Sequence, residues 1–280
     1  MTVSEFLSYF SFPYVRYALI VGAIVALCAS LLGVPLVLKR FSYLGDGLSH
    51  VAFGAMALAT VLNMSEELFL IMPVCIVCAI ILLGIGENKK IGGDAALAML
   101  SVGSLAIGYI LLNLFPASSN VAGDVCSSLF GSSSILTLNK NDMLISIVMG
   151  IAVIGVFIFF YNKIFSITFD PSFMQASGAN ARAYNLLLAV VCAVVISISM
   201  RLVGSLLVSA LIIFPAICAM SLKKSFRSVI LCSAAIGVTC ALIGMTLSIL
   251  FGTPTGATIV AADTLAFVLC KGIARLRRSR

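Results

Sequence analysis

Long apolar stretches limit the folds open to this chain more than any other feature. A helix that crosses a lipid bilayer needs about 20 consecutive apolar residues, and nine runs of roughly that length follow one another along the sequence. They lie near residues 14–38, 41–62, 68–85, 95–115, 143–164, 184–200, 202–222, 228–251 and 255–271. Backbone amides in lipid must find partners within their own segment, and a helix provides them. The sequence predicts an all-α polytopic membrane protein with about nine transmembrane helices, within a range of eight to ten.

The composition excludes the soluble classes of protein. Hydrophobic residues make up 62% of the chain and charged residues 10%, whereas soluble domains carry about 45–50% apolar and about 25% charged residues. Too little polar surface remains to cover a globule in water, so a soluble enzyme or a nucleic-acid-binding domain is excluded. The formal charge of +7 has a different origin in a membrane protein, because Lys and Arg concentrate in cytoplasmic loops.

The positions of Lys and Arg assign the two membrane faces. Five basic residues crowd the end of the chain after residue 270, which places the C-terminus in the cytoplasm. Counting back through alternate loops puts four further basic groups on that side: Lys39/Arg40, Lys89/Lys90, Lys163 to Arg182, and Lys223/Lys224/Arg227. Arg16 and Arg201 are exceptions near the opposite face. We expect an odd number of spans, an external N-terminus, and a half-buried or re-entrant outer segment at 116–142.

One segment next to the second apolar run combines two ionisable side chains with several glycines. It reads Ser-Tyr-Leu-Gly-Asp-Gly-Leu-Ser-His over residues 42–50, and His50 is the only histidine of the chain. Asp46 and His50 are four residues apart, so on a helix they share one face. Ionisable side chains within a membrane usually face a cavity or a partner. A carboxylate and an imidazole suit first-row divalent metals such as Zn and Mn, so the pair is a candidate metal site.

Two other interpretations of this pair stay open at the level of sequence. Asp46 and His50 could satisfy each other and only stabilise the helix. A Ser-His-Asp protease is a weaker rival, because no motif announces the nucleophile it needs. Gly45, Gly47 and Gly54 would let a neighbouring helix or an ion approach closely.

Asp263 is a second ionisable residue inside an apolar run, Ala257–Cys270. The predicted topology places Arg201 at the same face of the membrane. A structural ion pair between Arg201 and Asp263 is therefore the favoured interpretation, and a polar cavity lined by Asp263 is the alternative.

A polar connection at about 165–182 carries the signals of a short helix. Asp170 followed by Pro171 is typical of an N-cap and first helical residue, and Gly178 is typical of a stop. The segment is either an ordinary connector or a docking site for a soluble partner. The chain has no phosphate-binding G-x-x-x-x-G-K-[ST] motif, so any ATP-driven work belongs to another subunit.

Three motifs resemble the permease subunit of bacterial ABC importers for zinc, manganese or iron, and the resemblance covers nearly the whole chain. Gly45-Asp-Gly-Leu-Ser-His50 after Val37-Leu-Lys-Arg40 is similar to the family's G-D-A-[LIV]-S-H signature. The stretches Val203–Leu211, continuing to Pro215-Ala216, and Pro254–Val260 are similar to two further family segments. Gly47 stands where the family usually has Ala, and Asp263 stands where an apolar residue is common.

The resemblance implies a type II ABC importer permease over 1–280, a transport subunit and not an enzyme. It implies that the permease pairs with a second copy or a close paralogue in the bacterial inner membrane. It also implies two cytoplasmic ATPases, an outer metal-binding protein, a transported metal ion and no resident cofactor. Asp46 and His50 would line the path, and Asp170, Pro171, Phe173, Ala176 and Gly178 would contact the ATPase. The rivals are a siderophore or cobalamin permease of related fold and, more remotely, an intramembrane enzyme.

Overall fold

The computed structural model describes residues 12–64, 66–86, 93–115 and 138–278. These ranges contain helices and connections, and no strand. The helices are α1 (Pro13–Leu38), α2 (Ser42–Val61), α3 (Leu68–Gly86), α4 (Gly93–Leu114), α5 (Lys140–Phe159), α6 (Tyr161–Phe169), α7 (Pro171–Ala176), α8 (Ala181–Val203), α9 (Ser205–Leu222), α10 (Phe226–Phe251) and α11 (Thr255–Arg278). The predicted all-α class is confirmed.

Each of the nine predicted runs contains a long helix. Among the described residues, 8 helices are long and apolar enough to cross a membrane: α1, α2, α4, α5, α8, α9, α10 and α11. The third run is the apolar helix α3, so the fold agrees with the predicted range of eight to ten spans. The run at 143–164 is interrupted, however, because α5 ends at Phe159 and α6 begins at Tyr161. Residues 116–137, most of the predicted re-entrant segment, lie outside the described residues.

An aromatic cluster packs α6, the helix that follows the interruption, against the start of α10. Tyr161, Phe165 and Phe169 follow one another at four-residue intervals and therefore share one face of this helix. All three rings lie 5.4–5.8 Å from the ring of Phe226 at the start of α10. Aromatic pairs at such distances stabilise their contact beyond simple burial. This cluster attaches α6 to the beginning of α10.

Helix α1 lies at the centre of the bundle, packed against α9, α10 and α5. Small residues permit the close approach of its neighbours. A Cβ added to Gly33 would lie 1.9 Å from the Ile212 carbonyl oxygen of α9, and one added to Gly237 of α10 would lie 1.9 Å from the Ser30 hydroxyl of α1. Such small-residue contacts are how membrane helices approach each other closely.

Polar contacts at the two ends of α8 agree with the predicted membrane faces. Near its start, Asn185 accepts a hydrogen bond from the Lys39 ammonium at the end of α1. Near its end, Arg201 lies 3.6 Å from the Glu66 carboxylate and 3.9 Å from that of Asp142. Arg201 follows Asn185 by 16 positions, a rise of about 24 Å along the helix. Arg201, one of the two basic exceptions near its face, thus lies beside two acids.

Candidate functional site

Helix α2 places Asp46 and His50 on one face, one turn apart. The Asp46 Oδ1 and His50 Nε2 atoms are 3.6 Å apart, and the side chains are 42% and 14% exposed, respectively. This separation is longer than a hydrogen bond. Two ligands bound to one tetrahedral ion at about 2.0–2.2 Å lie about 3.4 Å from each other. The distance is that of an ion pair, and it also leaves room for one ion in contact with both atoms.

The hydroxyl groups behind the pair connect α2 to α9. The Ser49 hydroxyl donates to the Asp46 carbonyl oxygen at 2.8 Å and lies 3.1 Å from the Ser209 hydroxyl. Both serines are buried. The sequence did not single out Ser209, and the available signal was its four-residue spacing from Ser205 on the same apolar helix, whose carbonyl it contacts at 3.3 Å.

Glycines fix the position of α2 between its neighbours, as the sequence predicted. A Cβ on Gly45 would lie 2.9 Å from the Ile212 side chain of α9, and one on Gly54 would lie 2.8 Å from the Ser104 carbonyl oxygen of α4. A Cβ on Gly47 would lie 3.0 Å from the Leu97 side chain, also on α4. With both flanks in close contact, α2 holds Asp46 and His50 at a defined place in the bundle.

The described ranges contain no group of three or more His, Cys, Asp or Glu side chains that could hold a metal ion. Within these ranges, Asp46 and His50 therefore form a pair that no third side chain of these types joins. The Nδ1 atom of His50 is buried and has no hydrogen-bond partner among the described residues.

The connection between α6 and α8 contains the predicted short helix, α7. The Asp170 carboxylate accepts a hydrogen bond from the Phe173 amide at 2.8 Å and caps the helix, with Pro171 as its first residue. Gly178 has φ +80, the left-handed conformation that ends such a helix. The N-cap and stop are confirmed as local structure.

Helix α7 is attached by one buried side chain. Met174 is 1% exposed and packs with Ile167 and Ala181 from the flanking helices, a contact that the sequence did not reveal. Phe173 is 67% exposed, and Ala176 is exposed as well. The helix therefore exposes the Phe173 ring on one face, and Met174 on the other face packs against the flanking helices.

Comparison with known proteins decides the family. The model of the ABC 3 transport family matches residues 11–273. The chain belongs to this family. It is 30% identical to the manganese import system permease protein ScaB of Streptococcus gordonii over 95% of this chain and 94% of that protein. It is 27% identical to the high-affinity zinc uptake system membrane protein ZnuB of Haemophilus influenzae, over 90% and 94% of the two chains.

A solved structure shares the fold. The structure of PsaBC from Streptococcus pneumoniae in complex with Fab matches with a TM-score of 0.85 and 27% identity, covering 99% of this chain and 100% of that one. The names of the curated relatives include manganese, zinc and iron transport. This ABC-3 chain is a multi-pass membrane permease subunit of the metal importer class, as the sequence motifs predicted.

The permease does not form the predicted ion pair between Arg201 and Asp263. Arg201 lies against the start of α5 and the α2–α3 connection, where Asp142 and Glu66 are its partners. Asp263 is 1% exposed on α11, and its oxygens accept no hydrogen bond from an N–H or O–H group of the described residues. The Cys240 thiol of α10 lies against its carboxylate.

Proposed function

We propose that this permease forms the path of an ATP-driven importer of divalent transition-metal ions, manganese, zinc or iron, and that Asp46 and His50 line that path. The observation that carries the proposal is the 3.6 Å separation of Asp46 Oδ1 and His50 Nε2. One ion can bridge these two atoms, which provide the oxygen and nitrogen ligands that first-row divalent metals accept. Family membership supports metal transport as the task of the whole subunit.

A metal ion bound by Asp46 and His50 alone would be undercoordinated, which favours a paired permease. A second copy or a close paralogue that faces the first across the path would add another carboxylate and imidazole. Four ligands of this type satisfy Zn²⁺, and waters can complete the larger shell of Mn²⁺. Asp46 is 42% exposed, and an open ligand suits a site that must release its ion, because conduction requires binding that still permits exit.

Helix α7 is our candidate for the contact with the ATPase that couples ATP hydrolysis to transport. The chain has no P-loop motif, so a pair of cytoplasmic ATPases must hydrolyse the nucleotide. Asp170 and Pro171 begin α7, Phe173 and Ala176 give it an exposed face, and Gly178 ends it. We assign the ATPase contact to this outward face, since Met174 fixes the opposite face to α6 and α8.

The remaining partners follow from the importer class. A metal-binding protein outside the membrane delivers the ion, and the bacterial inner membrane holds the permease. The ion is cargo, and the subunit carries no resident cofactor and performs no catalysis of its own.

Uptake of radioactive Zn²⁺ and Mn²⁺, each in competition with the other and with Fe²⁺, tests this function in cells that also express the ATPase and the binding protein. Asp46→Asn and His50→Ala should abolish uptake of the cargo metal while the variants still assemble with the ATPase. Glu66→Gln is the matched control, because it removes an exposed carboxylate whose ion pair is worth less than about 1 kcal/mol.

Two results would contradict the proposal. Uptake that survives both Asp46→Asn and His50→Ala would remove the pair from the path. Uptake of no metal in a correctly assembled complex would favour the larger metal-chelate substrates of the related permeases.

A further inference from the structure

Helices α5 and α8 are joined at both ends and separated in the middle. At one end, Arg201 of α8 lies 3.9 Å from the Asp142 carboxylate of α5. At the other end, the rings of Phe160, directly after α5, and Tyr184 of α8 are 5.9 Å apart. Between these two contacts the helices enclose a groove of about 410 Å³, a volume within the usual range of ligand sites.

Among the described residues, those that line the groove carry aliphatic side chains, with one methionine. They run from Leu144 to Val156 on α5 and from Val190 to Ile198 on α8. The deep side is formed by residues of the core such as Val153 and Val195, which are 3% and 0% exposed. Such a surface, with no polar group to bond, accepts a hydrocarbon ligand and no hydrated one.

The groove is long enough to hold an acyl chain from one leaflet of a bilayer. The 12 helical steps from Leu144 to Val156 rise about 18 Å along α5, and half of the hydrocarbon core is about 15 Å. Ala152 lies about 12 Å along the helix from Phe160. A straight acyl chain that enters from the face near Phe160 therefore passes Ala152 within the groove and ends before the closure at Asp142.

Basic residues lie beyond the end that Phe160 and Tyr184 close. Lys163 is exposed one turn after Phe160, and Arg182 is exposed two residues before Tyr184. Both belong to the side that the charge distribution assigns to the cytoplasm, where basic sites between membrane helices bind anionic headgroups. We propose that the groove between α5 and α8 binds one anionic phospholipid, with an acyl chain between the helices and its phosphate near Lys163 and Arg182.

A tryptophan placed in the groove tests the acyl-chain site. Ala152 lines the groove, so Ala152→Trp should fill it. Ile151 precedes it on α5 and is 66% exposed outside the groove, which makes Ile151→Trp the matched control. Native mass spectrometry of permease extracted from phosphatidylglycerol-containing membranes should show one retained phospholipid per chain in wild type and Ile151→Trp, and none in Ala152→Trp.

Equal retention in Ala152→Trp and the control would overturn the proposal. The proposal would also be overturned if Ala152→Trp changed the oligomeric mass and left lipid retention unaltered. In that case a second protein chain, and not a lipid, would cover the groove. The headgroup is tested with Lys163→Gln in vesicles of phosphatidylglycerol and phosphatidylcholine. Wild type should retain phosphatidylglycerol in preference and the variant should lose that preference, whereas an unchanged preference would refute the anionic assignment.

Discussion

The contact between α1 and α9 at Gly33 gives the most quantitative test of the fold. In Gly33→Ala, the new Cβ would lie 1.9 Å from the Ile212 carbonyl oxygen and 2.9 Å from the carbonyl carbon. The obstacle is backbone, so a rotamer change of a side chain cannot relieve it and the two helices must separate. Overpacking of this kind costs about 1–3 kcal/mol, and a backbone clash belongs at the upper end.

The helical preference of alanine opposes this cost and sets the net effect. Ala stabilises a helix interior by up to about 1 kcal/mol relative to Gly, so Gly33→Ala should lower the free energy of unfolding by about 2 kcal/mol. Gly155→Ala in α5 is the matched control, since an added Cβ there meets nothing within 4 Å. That variant should be neutral or more stable by up to about 1 kcal/mol.

Unfolding of the purified permease in mixed detergent micelles, followed by circular dichroism, measures both variants under one condition. The two should differ by about 2–3 kcal/mol, with Gly33→Ala the less stable. If Gly33→Ala were as stable as Gly155→Ala, α1 and α9 would not pack as closely as described, and the positions of Gly45 and α2 beside Ile212 would have to be revised.

Three further substitutions test separate parts of the account. Asp263→Leu should raise the free energy of unfolding by about 1–3 kcal/mol, because it removes a buried carboxylate that accepts no N–H or O–H hydrogen bond. Loss of metal uptake in a stable variant would instead place Asp263 on the path. Gly178→Val should uncouple ATP hydrolysis from uptake, because the backbone angle φ +80 at this position strains a β-branched residue. Normal coupling in the assembled complex would show that the segment is only a connector. Ser209→Ala should lower the free energy of unfolding by about 0.5–1.5 kcal/mol through the lost contact with Ser49, while uptake persists. Complete loss of uptake would mean that the Ser209 hydroxyl contacts the ion.

Features coded by neighbouring residues could be predicted from the sequence. The apolar runs predicted the helices, since a long apolar segment has few alternatives in lipid. The cap at Asp170 and the stop at Gly178 were predictable for the same reason, because each depends on residues within one turn. The helical spacing of Asp46 and His50 also placed the two side chains on one face.

Features that depend on distant residues could not be predicted in this way. The interruption between α5 and α6 goes together with packing on Phe226, more than fifty residues later in the chain. Arg201 had several acids on its side of the membrane, and only the packing of α5 and α8 brings Asp142 to it. The contact between Ser49 and Ser209 joins residues 160 positions apart, beyond the reach of any periodicity.

Pulsed electron paramagnetic resonance of Mn²⁺ bound to the purified permease tests the central claim most directly. His50 is the only histidine of the chain, so with a histidine-free affinity tag any imidazole nitrogen coupled to Mn²⁺ must belong to it. The account predicts a nitrogen coupling in wild type that disappears in His50→Ala and persists in the control Glu66→Gln. Bound Mn²⁺ without a nitrogen coupling in wild type, or with the same coupling in His50→Ala, would contradict it.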